Sequence, residues 1–247
     1  EYMNGRYDIA RAGFEQLKNH DSYRSVVPYY LLQIEYRERN YDYVVSEGER
    51  LLAVSTKSVR DDLLRIVAES YFVKGDYVMS LKYINDYPAD KHSRQENYIK
   101  GYSLYRLGRY REAIAPLRTV CGAMDGLTQN ASYHLAECYL NTGDLQSATS
   151  AFSMASTDGF DEEIAENALL NYGRLKFELD GDVFNESINV LKRYLDKYPT
   201  SEHCPEVQTL LIAAYYNSKD YGSAYAAIKA FPNPDKELRM ALQKVAV

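Results

Sequence analysis

The chain has no tryptophan in its 247 residues, and only three cysteines. Cys121, Cys138 and Cys204 are odd in number and none lies close to another, which excludes a disulfide framework. Cys138 falls in a stretch expected to be a buried helix, where a thiol behaves as a small apolar group. No Lys/Arg cluster is present and the formal net charge is -6. Nucleic-acid binders carry a basic face, so no nucleic-acid partner is expected, and an acidic membrane surface would repel this chain. The longest strongly apolar run, Leu210 to Tyr216, falls far short of the roughly 20 residues that span a bilayer. No secretory signal is present. The chain opens at Glu1, inside a repeat, and a segment upstream is expected to have been removed. No strand alternation, low-complexity tract or catalytic motif spacing is found.

What the chain has in excess is tyrosine: 25, against seven phenylalanines. It also has a recurring phrase. Glu69 to Ile84 reads as a helix end, a tight turn at Gly75-Asp76, and the start of a second helix. Cys138 to Ala148 and Ala214 to Ala224 repeat it, and Gly5 to Ala10 and Gly108 to Ala113 repeat its second half. The large residue after each turn falls at Tyr7, Tyr41, Tyr77, Tyr110, Leu145, Phe184 and Tyr221. Successive intervals are 34, 36, 33, 35, 39 and 37 residues. A helix-turn-helix period near 34 is the mark of tetratricopeptide repeats.

The resemblance to that family holds position by position. A small residue follows six of the seven anchors by three: Ala10, Ser80, Ala113, Ala148, Ser187 and Ala224. A bulky apolar residue follows four later: Phe14, Ile84, Leu117, Phe152, Leu191 and Ile228. An aromatic precedes by six at Tyr71, Tyr139 and Tyr215, and a small residue three before that at Ala68 and Ala136. Small residues let helices approach, and bulky ones fill the space beside them. The second copy departs most, with Val44 and Gly48, and the family's usual tryptophan is absent. The resemblance implies an all-α, right-handed α-α superhelix of about seven units. Their expected bounds are 1–23 (partial), 24–57, 58–92, 93–127, 128–160, 161–200 and 201–234, followed by a terminal helix over 235–247.

Local signals set the helix ends. Pro28 is tolerable only in an opening turn. Ser58-Val59-Arg60-Asp61 reads as a capping-box variant, and Ser93-Arg94-Gln95-Glu96 as a capping box proper. Pro88 and Pro199 stop helices. Pro116 predicts a kink or partial unwinding. The acidic run Asp158 to Glu163 suits a helix N-terminus, and Asp180-Gly181-Asp182 predicts a break before the return helix of the sixth unit.

Sites of chemistry are few. The two Asp-Gly stretches lack the twelve-residue calcium-loop spacing and read as solvated turns. His134 and Cys138 are four apart and could face one metal, yet nothing completes the site, and a packing pair is the expectation. Cys204 at a helix start has no base nearby and reads as structural. No cofactor and no metal are expected.

The resemblance therefore implies a non-enzymatic scaffold whose first helices line a groove for a partner peptide or helix. The family's groove positions fall on Tyr29, Gln33, Tyr36 and Arg37 in the second unit, and on Arg65, Glu69 and Phe72 in the third. In the fourth they are Tyr98, Tyr102, Tyr105 and Arg106, in the fifth Tyr133 and Glu137, and in the seventh Tyr216 and Asn217. Tyr98, Tyr102 and Tyr105 share one helix face. Tyr98 is equally placed to pack on the preceding unit, whereas Tyr102 and Tyr105 are assigned to the groove, where the surplus tyrosine is expected to go. The junction Tyr194 to Ser201, then Pro205-Glu206-Val207, resembles bacterial envelope repeat proteins such as the Tol-Pal coordinator and the outer-membrane assembly lipoprotein. It implies a periplasmic or outer-membrane-associated adaptor. Two other readings are open: the sensing or recruiting arm of a larger enzyme or regulator, and a superhelix binding a glycan or small ligand on its tyrosines.

Overall fold

The computed structural model describes residues 2–157, 159–179 and 186–230. Phe184, the Asp180 to Asp182 break, Asp158 and the terminal helix expected over 235–247 lie outside the described residues. Among the described residues there are α-helices, short 3-10 turns and no strands. The chain divides into two compact units, residues 1–120 and 121–247.

The first unit carries α1 (Tyr7–Leu17), α2 (Val27–Arg37), α3 (Tyr41–Val54), α4 (Lys57–Val73), α5 (Tyr77–Asp86), α6 (Arg94–Arg106) and α7 (Tyr110–Val120). The second carries α8 (Gly126–Thr142), α9 (Leu145–Ala155), α10 (Glu162–Leu179), α11 (Glu186–Lys197), α12 (Cys204–Asn217) and α13 (Tyr221–Ala230). The helices pack in consecutive pairs, as hairpins α2–α3, α4–α5, α6–α7, α8–α9, α10–α11 and α12–α13. In the first unit α3 packs on α4 and α5 on α6, and the first helices α2, α4 and α6 lie side by side. In the second unit α9 packs on α10 and α11 on α12, with α8, α10 and α12 side by side.

Six of the turns, all among the described residues, are built the same way. Two residues before the anchor the backbone is left-handed: Gly5, Arg39, Gly75, Gly108, Gly143 and Lys219 have φ of 71°, 64°, 78°, 71°, 82° and 62°. Glycine adopts this region without cost, which explains four of the six positions. The next residue caps the returning helix where it is aspartate. Asp76 accepts from Met79 N at 3.0 Å, Asp144 from Ser147 N at 3.1 Å, and Asp220 from Ser223 N at 3.0 Å.

The small positions Ala10, Ser80, Ala113, Ala148, Ser187 and Ala224 are buried, as are Ile84, Leu117, Phe152, Leu191 and Ile228 beside them. Phe14 is half-buried, on an end hairpin. The departure at Gly48 has a packing cause: a β-carbon there would overlap Cγ2 of Val67 on α4. In that hairpin the bulk comes from the neighbouring helix instead.

Two local expectations are corrected. Ser58 does not cap α4. The helix begins at Lys57, with Thr56 at the N-cap position and no side-chain cap bond. Thr56 Oγ1 lies 2.9 Å from the Ser58 hydroxyl, so that polar pair satisfies itself. Pro116 does not unwind α7, which is helical from Tyr110 through Val120. Proline removes one ladder bond, while buried Ala113, Pro116, Leu117 and Val120 hold the turn on either side of it. The Ser93 capping box forms as expected, with Glu96 accepting from Ser93 N at 2.9 Å.

Candidate interaction face

The expected groove residues of the first unit fall on adjacent helices and meet. On α2, the Tyr29 hydroxyl donates to Asp62 of α4 at 2.7 Å and Gln33 Nε2 donates to the same oxygen at 2.6 Å. Gln33 also bonds Tyr29 and Tyr2. Arg65 Nη2 donates to the other Asp62 oxygen at 2.7 Å, and Arg65 Nη1 lies 3.7 Å from Glu69. The Arg65 guanidinium stands 5.9 Å from the Tyr36 ring centre. Burial and then the Asp62 bond push the Tyr29 hydroxyl well above the ordinary phenol range. Burial and the adjacent Glu69 carboxylate do the same for Tyr36. Burial works to raise Asp62, but the bonds from Arg65, Tyr29 and Gln33 outweigh it and hold the carboxyl below its ordinary value. Asp62 is the hub of this network and escapes reading from sequence, because the pattern marks which residues share a face and not which side chain across the helix pair answers them.

Beside the polar network lies an aromatic one. Phe72 of α4 meets Tyr98 and Tyr102 of α6 edge-on at 6.0 and 5.5 Å, and Tyr98 stacks on Tyr102 at 5.6 Å. Tyr98 thus packs on the preceding hairpin, and burial raises its hydroxyl pKa. Tyr77 joins the cluster, 5.8 Å from Tyr102, and Tyr105 continues it at 5.8 Å from Tyr102 and 6.0 Å from Tyr110. Exposed Arg106 lies over two of these rings, 4.8 Å from Tyr77 and 5.7 Å from Tyr102. Its Nη1 donates to both phenol oxygens at 3.0 and 3.1 Å. Arg37 is exposed at the end of α2, and the phenols acting on it are those of Tyr2, Tyr7 and Tyr36.

Tyr133 of α8 packs edge-on against Phe152 at 5.7 Å, and Glu137 lies 3.0 Å from His134 Nδ1. Cys138 is buried, and burial pushes its thiol up to about 12. Tyr216 is exposed against Tyr221 at 5.5 Å, and Asn217 is exposed beside it. Two clefts lie outside the expected set. One of about 440 Å³ between α10 and the start of α12 is lined by Glu163, Glu166, Asn167, Ser201, Glu202 and His203. The other, about 270 Å³, has Met124, Met154 and Phe160 among its walls. Among the described residues no group of three or more His, Cys, Asp and Glu side chains is placed to hold a metal ion. No described helix is long and apolar enough to cross a membrane.

The surplus tyrosine is divided between faces and hidden ties. Tyr71 and Tyr83 stack at 5.7 Å and both donate to Glu49, at 2.8 and 2.6 Å. Fully buried Tyr194 donates to Glu166 at 2.8 Å, and Tyr172 to Glu186 at 3.1 Å.

Equivalent helix hairpins, a left-handed turn at one register position, and small residues where helices meet define a tetratricopeptide-repeat fold. Comparison with known proteins agrees. Residues 163–235 match the family model described as YfiO, outer membrane lipoprotein, and residues 38–120 match that described as ANAPC3, anaphase-promoting complex, cyclosome, subunit 3. No curated protein sequence matches the chain. Among solved structures, the C-terminal part of a TPR repeat-containing protein from Cytophaga hutchinsonii is similar at 15% identity. That match covers 98% of this chain and 96% of that one, with a TM-score of 0.59. BtubC from P. vanneervenii is similar at 13% identity over 83% of this chain and 95% of that one, with a TM-score of 0.44.

Proposed function

We propose that the chain is a non-enzymatic interaction scaffold, and that the α2–α4–α6 face of its first unit binds a peptide or helix of a partner protein. The observation that carries this reading is the cluster around Tyr102, Tyr105 and Arg106. There, half-exposed rings and a stacked guanidinium offer large, stiff contact area with polar tips, the chemistry concentrated at binding hot spots. Repeat arrays of this type are generally non-catalytic, and their interiors hold rigid surfaces in register. A random-peptide display selection against the whole chain tests the reading. Recovered peptides should lose binding to a Tyr105→Ala, Arg106→Ala variant while its thermal melt stays within a few degrees of wild type. Peptides that bind both proteins equally would refute it.

We further propose that the scaffold works in a bacterial cell envelope. The support is the match of residues 163–235 to a family described as an outer membrane lipoprotein, over a span that includes the Tyr194 to Val207 junction. Fractionating the source cells and blotting for this chain checks it. Recovery in the cytosolic fraction alone would overturn the envelope assignment and leave the interaction face untouched.

A further inference from the structure

Counting back four residues from Tyr41, Tyr77 and Tyr110 reaches Arg37, Val73 and Arg106. These are equivalent points at the ends of α2, α4 and α6, which lie side by side. Both arginines are exposed, and Val73 between them is an apolar side chain left 51% exposed. Several arginines of this unit are neutralised: Arg11 by Glu35 and Glu38, Arg65 by Asp62, and Arg109 by Glu112. Among the described residues Arg37 and Arg106 are within ion-pair distance of no carboxylate. Arg106 spends Nη1 on two phenols, which fix the guanidinium plane and leave Nε and Nη2 for a ligand. A planar guanidinium held by stacking is a preorganised carboxylate receptor.

We propose that the row Arg37–Val73–Arg106 is the recognition register of this face. Its occupant is an acidic segment of a partner protein in a polyproline-II conformation, with two carboxylates six residues apart and an apolar side chain midway. The spacing follows from geometry. Packed helices lie about 8–10 Å apart, and a polyproline-II strand advances about 9 Å in three residues, returning its side chain to the same side. One residue in three therefore meets each successive first helix, in the order acid, apolar, acid. A regular β-strand would turn its third residue away. The inference rests on the reading of this face as a protein-binding surface and adds its ligand chemistry.

The test is fluorescence anisotropy with the whole chain and an end-blocked, labelled heptapeptide, Glu-Pro-Ser-Leu-Pro-Ser-Glu. Replacing both glutamates by glutamine should weaken binding about tenfold or more, and inserting one residue on each side of the leucine should do the same. Arg37→Gln and Arg106→Gln should each weaken the acidic peptide about three- to tenfold and leave the glutamine peptide unchanged. Val73→Asp, a change at an exposed site, should abolish binding with an unaltered melt. Equal affinity for the glutamate and glutamine peptides, no binding of the acidic peptide, or acidic binding indifferent to both arginine variants would each overturn the proposal. Display-selected peptides that lack acids and still need Tyr105 would overturn it too, while leaving the interaction reading standing.

Discussion

Gly101 offers a quantitative test of how the hairpins pack. It lies nine residues before Tyr110, the register position filled by Ala68 and Ala136 in the third and fifth hairpins, and all three are buried. Changing glycine to alanine within an open helix gains about 0.8–1.0 kcal/mol. Here a β-carbon would sit 2.7 Å from Leu117 Cγ, 2.9 Å from its Cδ2 and 3.0 Å from its backbone nitrogen. The main-chain contact is fixed whatever the rotamer, and Leu117 is fully buried, so its side chain has little room to swing away. Overpacking of this kind costs about 1–3 kcal/mol. Gly101→Ala should therefore destabilise, by up to about 2 kcal/mol after the helix gain is subtracted. A double-mutant cycle isolates the cause. Leu117→Ala alone should cost about 2–5 kcal/mol, because Leu117 is fully buried. In that background Gly101→Ala should be neutral or favourable, giving a coupling of about 1–3 kcal/mol. Urea unfolding followed by circular dichroism measures all four corners, with the m-value reporting any loss of cooperativity. If Gly101→Ala stabilises the wild type, or if the coupling falls within about 0.5 kcal/mol of zero, α6 and α7 do not approach as described.

Three further outcomes follow from the same geometry. Arg39 holds a left-handed backbone that glycine adopts freely, so Arg39→Gly should stabilise by about 0.5–1 kcal/mol, read from the urea midpoint, and a loss would mean its side chain is needed there. Ala148 is fully buried at the close contact of its hairpin, so Ala148→Leu should cost about 1–3 kcal/mol, and an unchanged melting temperature would show the repeat register to be wrong. The bonds from Tyr83 and Tyr71 hold the Glu49 carboxyl below its ordinary 4.5, so its contribution to stability is full above that value and lost as pH falls through the lower, folded-state value. The stability gap between wild type and Glu49→Gln should accordingly be present at pH 7 and close below pH 4.5, and a gap constant across that range would refute the tie.

The repeat plan was legible because it is local. Gly75, Gly108 and Gly143 mark left-handed turns that few other residues take, and Asp76 and Asp144 announce the returning helices one residue later. Arg39 and Lys219 take the same conformation without the glycine; Asp220 still marks the second of these turns, and the period locates the first. Proline at position 116 reads as a breaker because the sequence does not display the burial that holds α7 together around it. At the candidate face, the shared register of Tyr98, Tyr102, Tyr105 and Arg106 was readable from spacings of three and four. Their partners were not. Tyr29 meets Asp62 across 33 positions and Tyr83 meets Glu49 across 34. Near-repeat separations of that kind make many tyrosine–carboxylate pairs equivalent on paper. Interhelical distance and rotamer choose among them.

Those pairs bear on why the chain uses tyrosine so heavily. A phenol fills a gap between hairpins as phenylalanine would, and it also carries a hydroxyl that can satisfy a carboxylate on the neighbouring helix. Glu49, Asp62 and Glu166 are each answered by tyrosine hydroxyls. A carboxylate taken partly out of water needs such donors, and removing them costs more than the bond itself contributes. The ties to Asp62, together with Tyr36 beside Glu69, join α2 to α4 within the α2–α4–α6 face that presents Arg37, Val73 and Arg106. Fixing the helices against one another fixes the spacing of those three side chains. On the proposed reading of this face, a partner segment would lose its own freedom on binding while the receptor lost little, and affinity would rise with each side chain held in advance. Tyrosine thus serves the scaffold twice, in the ties that set the distance between hairpins and in the rings that aim Arg106 outward.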